Sequence, residues 1–188
     1  VRVFFLMDRL KGLGGKDGGG MPPPGIRRVH VVGAGVMGGD IAAVAAMRGM
    51  TVTLQDQSLE RVAAAIGRAG KMYGYRIKDK LARRAALDRL IPDPEGYGAA
   101  RADVVIEAIF ENLEAKRSLL AALEAKMKPD AVLASNTSSL RLEDIATTMK
   151  NPARLVGIHF FNPVAKMPLV EIVEAKGADP EMLARAAA

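Results

Sequence analysis

The chain has 188 residues and a mass of 20.0 kDa, with 49% apolar and 26% charged residues, no Cys and no Trp. That length suits one good-sized core and is too short for two full domains, and the apolar fraction excludes a disordered chain. The lack of Cys excludes a disulfide scaffold and a thiolate-held metal, two His leave little for metal chemistry, so no metal is expected, and the net charge of +6 asks for an anionic partner.

Residues 1–11 read as the end of an apolar helix or strand, and Gly12–Gly25 is a Gly/Pro-rich linker. Residues 1–26 are therefore set apart from a domain over 27–176, and residues 177–188 are expected to begin a connection to a further helical domain. Val1 is not a start methionine, so the chain reads as an excised piece; Asp8 and Arg9 interrupt the first apolar stretch, which argues against a signal peptide. No apolar run approaches membrane-spanning length, so membrane insertion is not expected.

From Arg27 onward, short β-branched runs alternate with Ala-rich stretches. The first predicted strand, Val29–Val32, holds His30, for which a packing or hydrogen-bonding role is the expectation. It runs into Gly33-Ala34-Gly35-Val36-Met37-Gly38 and then a helix over Met37–Arg48. A GxGxxG loop between strand and helix is the context in which this motif binds a dinucleotide. Gly33 permits the tight turn, Gly35 admits a pyrophosphate to the backbone, Gly38 lets helix and strand pack, and the helix start favours phosphate.

The next strand, Thr51–Leu54, leads to Gln55-Asp56. A carboxylate there can accept both ribose hydroxyls and would repel a 2′-phosphate, which favours NAD over NADP. The candidate cofactor contacts are Gly33, Gly35, Val36, Met37, Gly38, Gln55 and Asp56.

A long helix is predicted over Leu59–Arg84, followed by a weak strand at Arg89–Ile91. Between Arg61 and Arg101 stand ten basic and four acidic residues, so the whole excess of positive charge lies in this segment. Tyr73, Tyr75 and Tyr97 are its aromatics and no nucleic-acid motif is present, so nucleic acid is not the expected partner.

Strand Val104–Ala108, helix Leu113–Met127 and strand Ala131–Ala134 come next. Glu107 and Glu111 precede the helix, where carboxylates also suit its dipole. Asn136-Thr137-Ser138-Ser139 follows the strand at its carboxyl end, where ligands bind in open α/β sheets. Ser138 or Ser139 alternatively fits as a cap for a helix over Arg141–Thr148. The last strands, Val156–Phe160 and Leu169–Val173, flank a turn bracketed by Pro163 and Pro168. A hairpin centred near Ala165 places Glu171 opposite His159, where a carboxylate fixes the imidazole tautomer and supports it as a base. The whole pattern predicts a single α/β domain with a doubly wound, mostly parallel Rossmann-type sheet and an N-terminal linker.

With VHVVGAGVMGGDIA, VTLQD, DVVIEAIFENLEAK, ASNTSSL and GIHFFNPVAKMPLVEIV in order, the chain resembles the NAD-binding domain of L-3-hydroxyacyl-CoA dehydrogenases over Arg27–Ala175. The likeness is strongest to the multifunctional alpha subunit of bacterial fatty-acid oxidation complexes. It implies an NAD-dependent oxidation of L-3-hydroxyacyl-CoA in β-oxidation, in the cytoplasm, within an oligomeric complex that includes a thiolase. It further implies His159 as base, Glu171 as its orienting partner, Ser138 as donor to the substrate oxygen and Asn162 as a further polar contact, with Glu111, Lys116 and Asn136 on the cofactor side. The positive segment then gains a candidate role: Lys71, Arg76, Lys78 and Lys80 could meet the phosphates of CoA, the alternative being a solvated helix face. The family continues into a helical domain that completes the acyl pocket, so the excised piece is expected to bind NAD and turn over poorly. The rival readings are a short-chain 3-hydroxybutyryl-CoA dehydrogenase and a non-catalytic dinucleotide-binding module.

Overall fold

The computed structural model describes residues 3–5, 25–167 and 169–187. The linker expected before Gly25 and the second bracketing proline, Pro168, lie outside these residues. The strands are β1 (Val3–Phe5), β2 (Arg28–Val32), β3 (Thr51–Gln55), β4 (Leu90–Pro92), β5 (Val104–Glu107), β6 (Val132–Ser135), β7 (Leu155–Phe160) and β8 (Val170–Val173). They lie in one sheet in the order β1-β8-β7-β6-β5-β2-β3-β4. From β4 to β7 all neighbours are parallel, while β8 runs antiparallel to β7 and β1 antiparallel to β8. Val3–Phe5 is strand, so of the two forms read for this stretch, helix end or strand, it takes the strand.

Strands this short stay parallel because helices cover both faces of the sheet. One face carries α1 (Val36–Met47), α2 (Leu59–Arg76), α3 (Lys80–Asp88) and, later in the chain, α6 (Pro180–Ala187), packed over Val31, Leu54, Ile106 and Val156. The other carries α4 (Leu113–Glu124) and α5 (Leu142–Ile145) over Val32, Val105, Leu133 and Leu155. Successive residues such as Val31 and Val32 enter opposite cores, so the strands read as unbroken apolar runs. Met182 of α6 is buried in the first core, so the segment expected to begin a connection packs on the same domain.

The long helix predicted over Leu59–Arg84 is two helices. Ile77 is extended and buried, and the Asp79 carboxylate caps α3 by accepting the Ala82 N–H at 2.7 Å. An Asp before a run of helix formers was the missed signal. Likewise, α5 passes into a 3₁₀ turn over Ala146–Thr148 instead of continuing as α-helix.

From β2 the chain winds outward to β3 and β4, then returns to the other side of β2 as β5. The crevice at this reversal, beyond the carboxyl ends of β2 and β5, is where a doubly wound sheet holds its ligand.

Candidate active site

Gly33 has φ +106°, and a Cβ there would stand 2.7 Å from the Ala108 carbonyl carbon, so both backbone and space require glycine. A Cβ on Gly38 would run into the Gly33 carbonyl oxygen. Gly35 differs: its φ is −61° and a Cβ would meet no heavy atom within 4 Å. Neither strain nor packing demands glycine at Gly35; what it keeps bare is the floor of a cleft of about 760 Å³ lined by Gly33, Val36, Met37, Asp56, Ile109 and Phe110. No side chain caps α1, so its first N–H groups stay available to an anion in that cleft.

Asp56 stands on the cleft wall, its Oδ2 accepting the Ala34 N–H at 2.8 Å and its Oδ1 the Ser58 N–H at 3.0 Å. A carboxylate has about four acceptor sites, so both oxygens retain capacity for ribose hydroxyls. Gln55 also lines the cleft, but its side chain is engaged elsewhere: Oε1 lies 3.0 Å from His30 Nε2, and its carbonyl accepts the Gly33 N–H at 2.8 Å. Its part in the site is to hold the glycine loop. His30 is a hydrogen-bonded core residue, with Nδ1 2.8 Å from Thr53 Oγ1.

At the same edge of the sheet, β7 and β8 pair with His159 opposite Glu171, the register expected from the sequence. His159 Nδ1 lies 3.1 Å from Glu171 Oε2, with both side chains partly exposed. An ionised carboxylate can only accept, so Nδ1 carries the hydrogen and Nε2 presents a lone pair. The Asn136 Oδ1 accepts the Phe160 N–H at 2.9 Å, tying the end of β6 to β7 beside the imidazole. Asn162, at the start of the turn, is exposed.

Between the cleft and the imidazole lies the serine turn. Ser138 donates its N–H to Glu111 Oε1 at 2.8 Å, and the Thr137 hydroxyl donates to the same oxygen at 2.9 Å. Neither Ser138 nor Ser139 caps α5; the cap residue is Arg141, without a side-chain bond, and Thr137 Oγ1 accepts the Leu140 N–H at 3.0 Å. The carboxylates also depart from a helix-dipole role. Asn112 caps α4, Glu107 ends β5 in the core, and Glu111 turns back toward the serines. Lys116 is 1% exposed, with its ammonium enclosed by Glu107 Oε1 at 2.5 Å, Glu111 Oε2 at 3.2 Å and the Ile109 carbonyl at 3.4 Å. Burial would push the Glu111 carboxyl up, but the donors from Ser138 and Thr137 and the Lys116 charge outweigh it and hold Glu111 below the usual carboxylate range.

A family model described as 3-hydroxyacyl-CoA dehydrogenase, NAD binding domain, matches residues 28–188. The chain belongs to this family. Among solved structures, 3-hydroxybutyryl-CoA dehydrogenase from Escherichia coli is 38% identical with a TM-score of 0.82, the match covering 86% of this chain and 35% of that one. M. tuberculosis FadB2 is 37% identical with a TM-score of 0.80, covering 85% of this chain and 58% of that one. The dehydrogenase part of multifunctional enzyme 1 from C. elegans, at 23% identity, shares the fold, with a TM-score of 0.78 and coverage of 97% and 46%. The chain thus spans about a third to three fifths of the length of these structures.

As a dehydrogenase NAD-binding domain, the chain takes NAD as its cofactor, and the bare floor at Gly35 and the Asp56 carboxylate fit that group. The four basic residues proposed for CoA are not gathered at this site. Lys71 and Arg76 project from the second half of α2, Lys78 from the turn beyond it and Lys80 from the start of α3; all four are exposed. α2 begins beside Asp56 and is about 27 Å long, so this turn is far from the cleft. Sequence reasoning gave Glu107 only a helix-start role and did not single out Ser135; both are fully buried and hydrogen-bonded to each other at the end of the sheet. Among the described residues no helix is long and apolar enough to cross a membrane.

Proposed function

We propose that this chain is the cofactor-binding and base-bearing part of an enzyme that oxidises L-3-hydroxyacyl-CoA to 3-ketoacyl-CoA in fatty-acid β-oxidation. The observation that carries the reading is the His159–Glu171 pair, 3.1 Å apart at the edge of the sheet that also holds the cofactor cleft. His159 Nε2 takes the proton of the substrate hydroxyl, and Glu171 stabilises the imidazolium that results. NAD, when bound, supplies the acceptor for the hydride leaving the same substrate carbon. Ser138 and Asn162 hold the substrate oxygen and its surroundings, Asp56 binds the adenosine ribose, and Glu111, Lys116 and Asn136 shape the wall toward the nicotinamide. In this reading Lys71, Arg76, Lys78 and Lys80 meet the phosphates of CoA.

A cytoplasmic setting is part of the same proposal. A thiolase is the enzyme's natural partner in a complex, because a 3-ketoacyl-CoA is the compound a thiolase cleaves. Supplying the protein with NAD and either L- or D-3-hydroxyacyl-CoA tests the reading. Reduced nicotinamide is expected with the L isomer only. Slow turnover is in keeping with a chain that spans a third to three fifths of its relatives; reduction with the D isomer as readily as with the L isomer, or no binding of NAD, would overturn the reading. The second reading, a 3-hydroxybutyryl-CoA dehydrogenase, draws on the likeness to the E. coli structure, and a strong preference for the hydroxybutyryl substrate over longer ones would favour it.

A further inference from the structure

Glu107 makes more contacts than a carboxylate needs for simple burial. Its Oε1 accepts the Ile109 N–H at 2.8 Å and the Lys116 ammonium at 2.5 Å, and its Oε2 accepts the Ser135 hydroxyl at 2.5 Å. It is 0% exposed, at the carboxyl end of β5. A buried ion pair is a poor device for stability alone, since desolvation offsets most of its attraction and an apolar pair of similar size would serve as well. What the arrangement does supply is fixed direction. The Ile109 bond sets the turn that walls the cofactor cleft. The Lys116 ammonium, held from below by Glu107, grips Glu111 Oε2 at 3.2 Å, and Glu111 in turn accepts the Ser138 and Thr137 donors.

We propose that Glu107 is a positioning residue which, with Ser135, aligns the cofactor wall and, through Lys116 and Glu111, the Ser138 turn. Resting on the dehydrogenase reading for its catalytic consequence, it makes a geometric claim that stands without turnover. Glu111 is 37% exposed, so burial alone does not fix the direction of its carboxylate. With Lys116 fixed behind it, its carboxylate has one favoured direction.

Two variants test this. Glu107→Gln keeps the size, removes the charge and turns one acceptor oxygen into a donor; Ser135→Ala removes only the donor to Oε2. Amide hydrogen exchange on the protein without added cofactor gives the first readout. In Glu107→Gln the Ser138 amide is expected to exchange at least about tenfold faster relative to the core amide of Leu133, with a smaller change in the same direction for Ser135→Ala. The second readout is turnover with L-3-hydroxyacyl-CoA, where kcat is expected to fall at least about tenfold in Glu107→Gln. Joint replacement by Glu107→Leu and Lys116→Met should recover thermal stability but not kcat. Ser138 exchange unchanged relative to Leu133 in both single variants would overturn the proposal, as would recovery of parental kcat by the double variant. Altered Ser138 exchange in variants of a parent that binds no NAD would sustain the positioning role while removing the dehydrogenase reading.

Discussion

His30 and His159 both stand in strands, and their surroundings give them opposite uses. His159 keeps one nitrogen for Glu171 and offers the other outward. Replacing it with Gln should leave NAD affinity unchanged and lower kcat by about a hundredfold or more, as loss of a general base does; equal losses in NAD binding would instead show a damaged fold. His30 is sealed inside. Burial pushes its imidazole below the ordinary value, against smaller upward pulls from Gln55 and Asp93. In the unfolded chain His30 takes up a proton near pH 6.5, whereas the folded chain resists it, so the unfolded state binds more protons in the interval below. Stability is therefore expected to be level above about pH 6.5 and to fall as pH drops through that value toward the lower folded pKa. Thermal melts between about pH 8 and 5 check this, and a His30→Gln variant should lose much of the slope. The lowered carboxyls of Asp103 and Glu111 act separately: their contribution is present above the ordinary carboxylate range and is lost only in more acid solution.

At the scale of elements, the glycine loop separates two kinds of glycine. Gly38→Ala drives a methyl group into the Gly33 carbonyl and should cost roughly 1–3 kcal/mol of stability. Gly35→Ala projects into open cleft and should cost under about 1 kcal/mol while weakening NAD binding. Calorimetry with NAD and a denaturant titration on each variant separate the two effects; equal destabilisation by both would contradict the distinction. The loop was legible in the sequence because its purposes are local, spelled by a strand, three glycines and a helix. The His159–Glu171 pair was legible for a similar reason: an antiparallel ladder pairs residues whose numbers have a constant sum. Glu107 was not. Its partners come from the next strand, a helix and a turn, and nothing within a few residues distinguishes a carboxylate that enters the core from one that caps a helix. Asn112, a better cap three residues before Ala115, was the only local hint that the helix start was already provided for.

Across the whole molecule, the site spreads along one end of the sheet; of the basic residues of the positive segment, Arg61 lines the cleft and Arg68 bonds the Gly35 carbonyl at 2.9 Å, while Lys71, Arg76, Lys78, Lys80, Arg83 and Arg84 stand on the far part of α2, the turn after it and α3. If that charge meets CoA, Lys78→Glu with Lys80→Glu should weaken acyl-CoA binding several-fold at low salt and much less near physiological ionic strength, where the screening length is about 8 Å. Affinity unchanged at low salt would make it a solvated face. Strand order was predictable in class because the alternation of elements dictates a doubly wound sheet, yet the antiparallel β1 at its edge was not, since three residues carry too little pattern to fix a partner.

The pairing of β7 with β8 carries one more consequence, for how such a chain can change over generations. His159 meets Glu171 because of the ladder, not because of the turn that joins the strands. Insertions or deletions inside that turn can be absorbed wherever they leave Asn162 in place. A single residue lost within β8 ahead of Glu171 would turn the carboxylate to the opposite face and part the pair in one step. The pair thus depends on the spacing within its strand and not on the length of its loop.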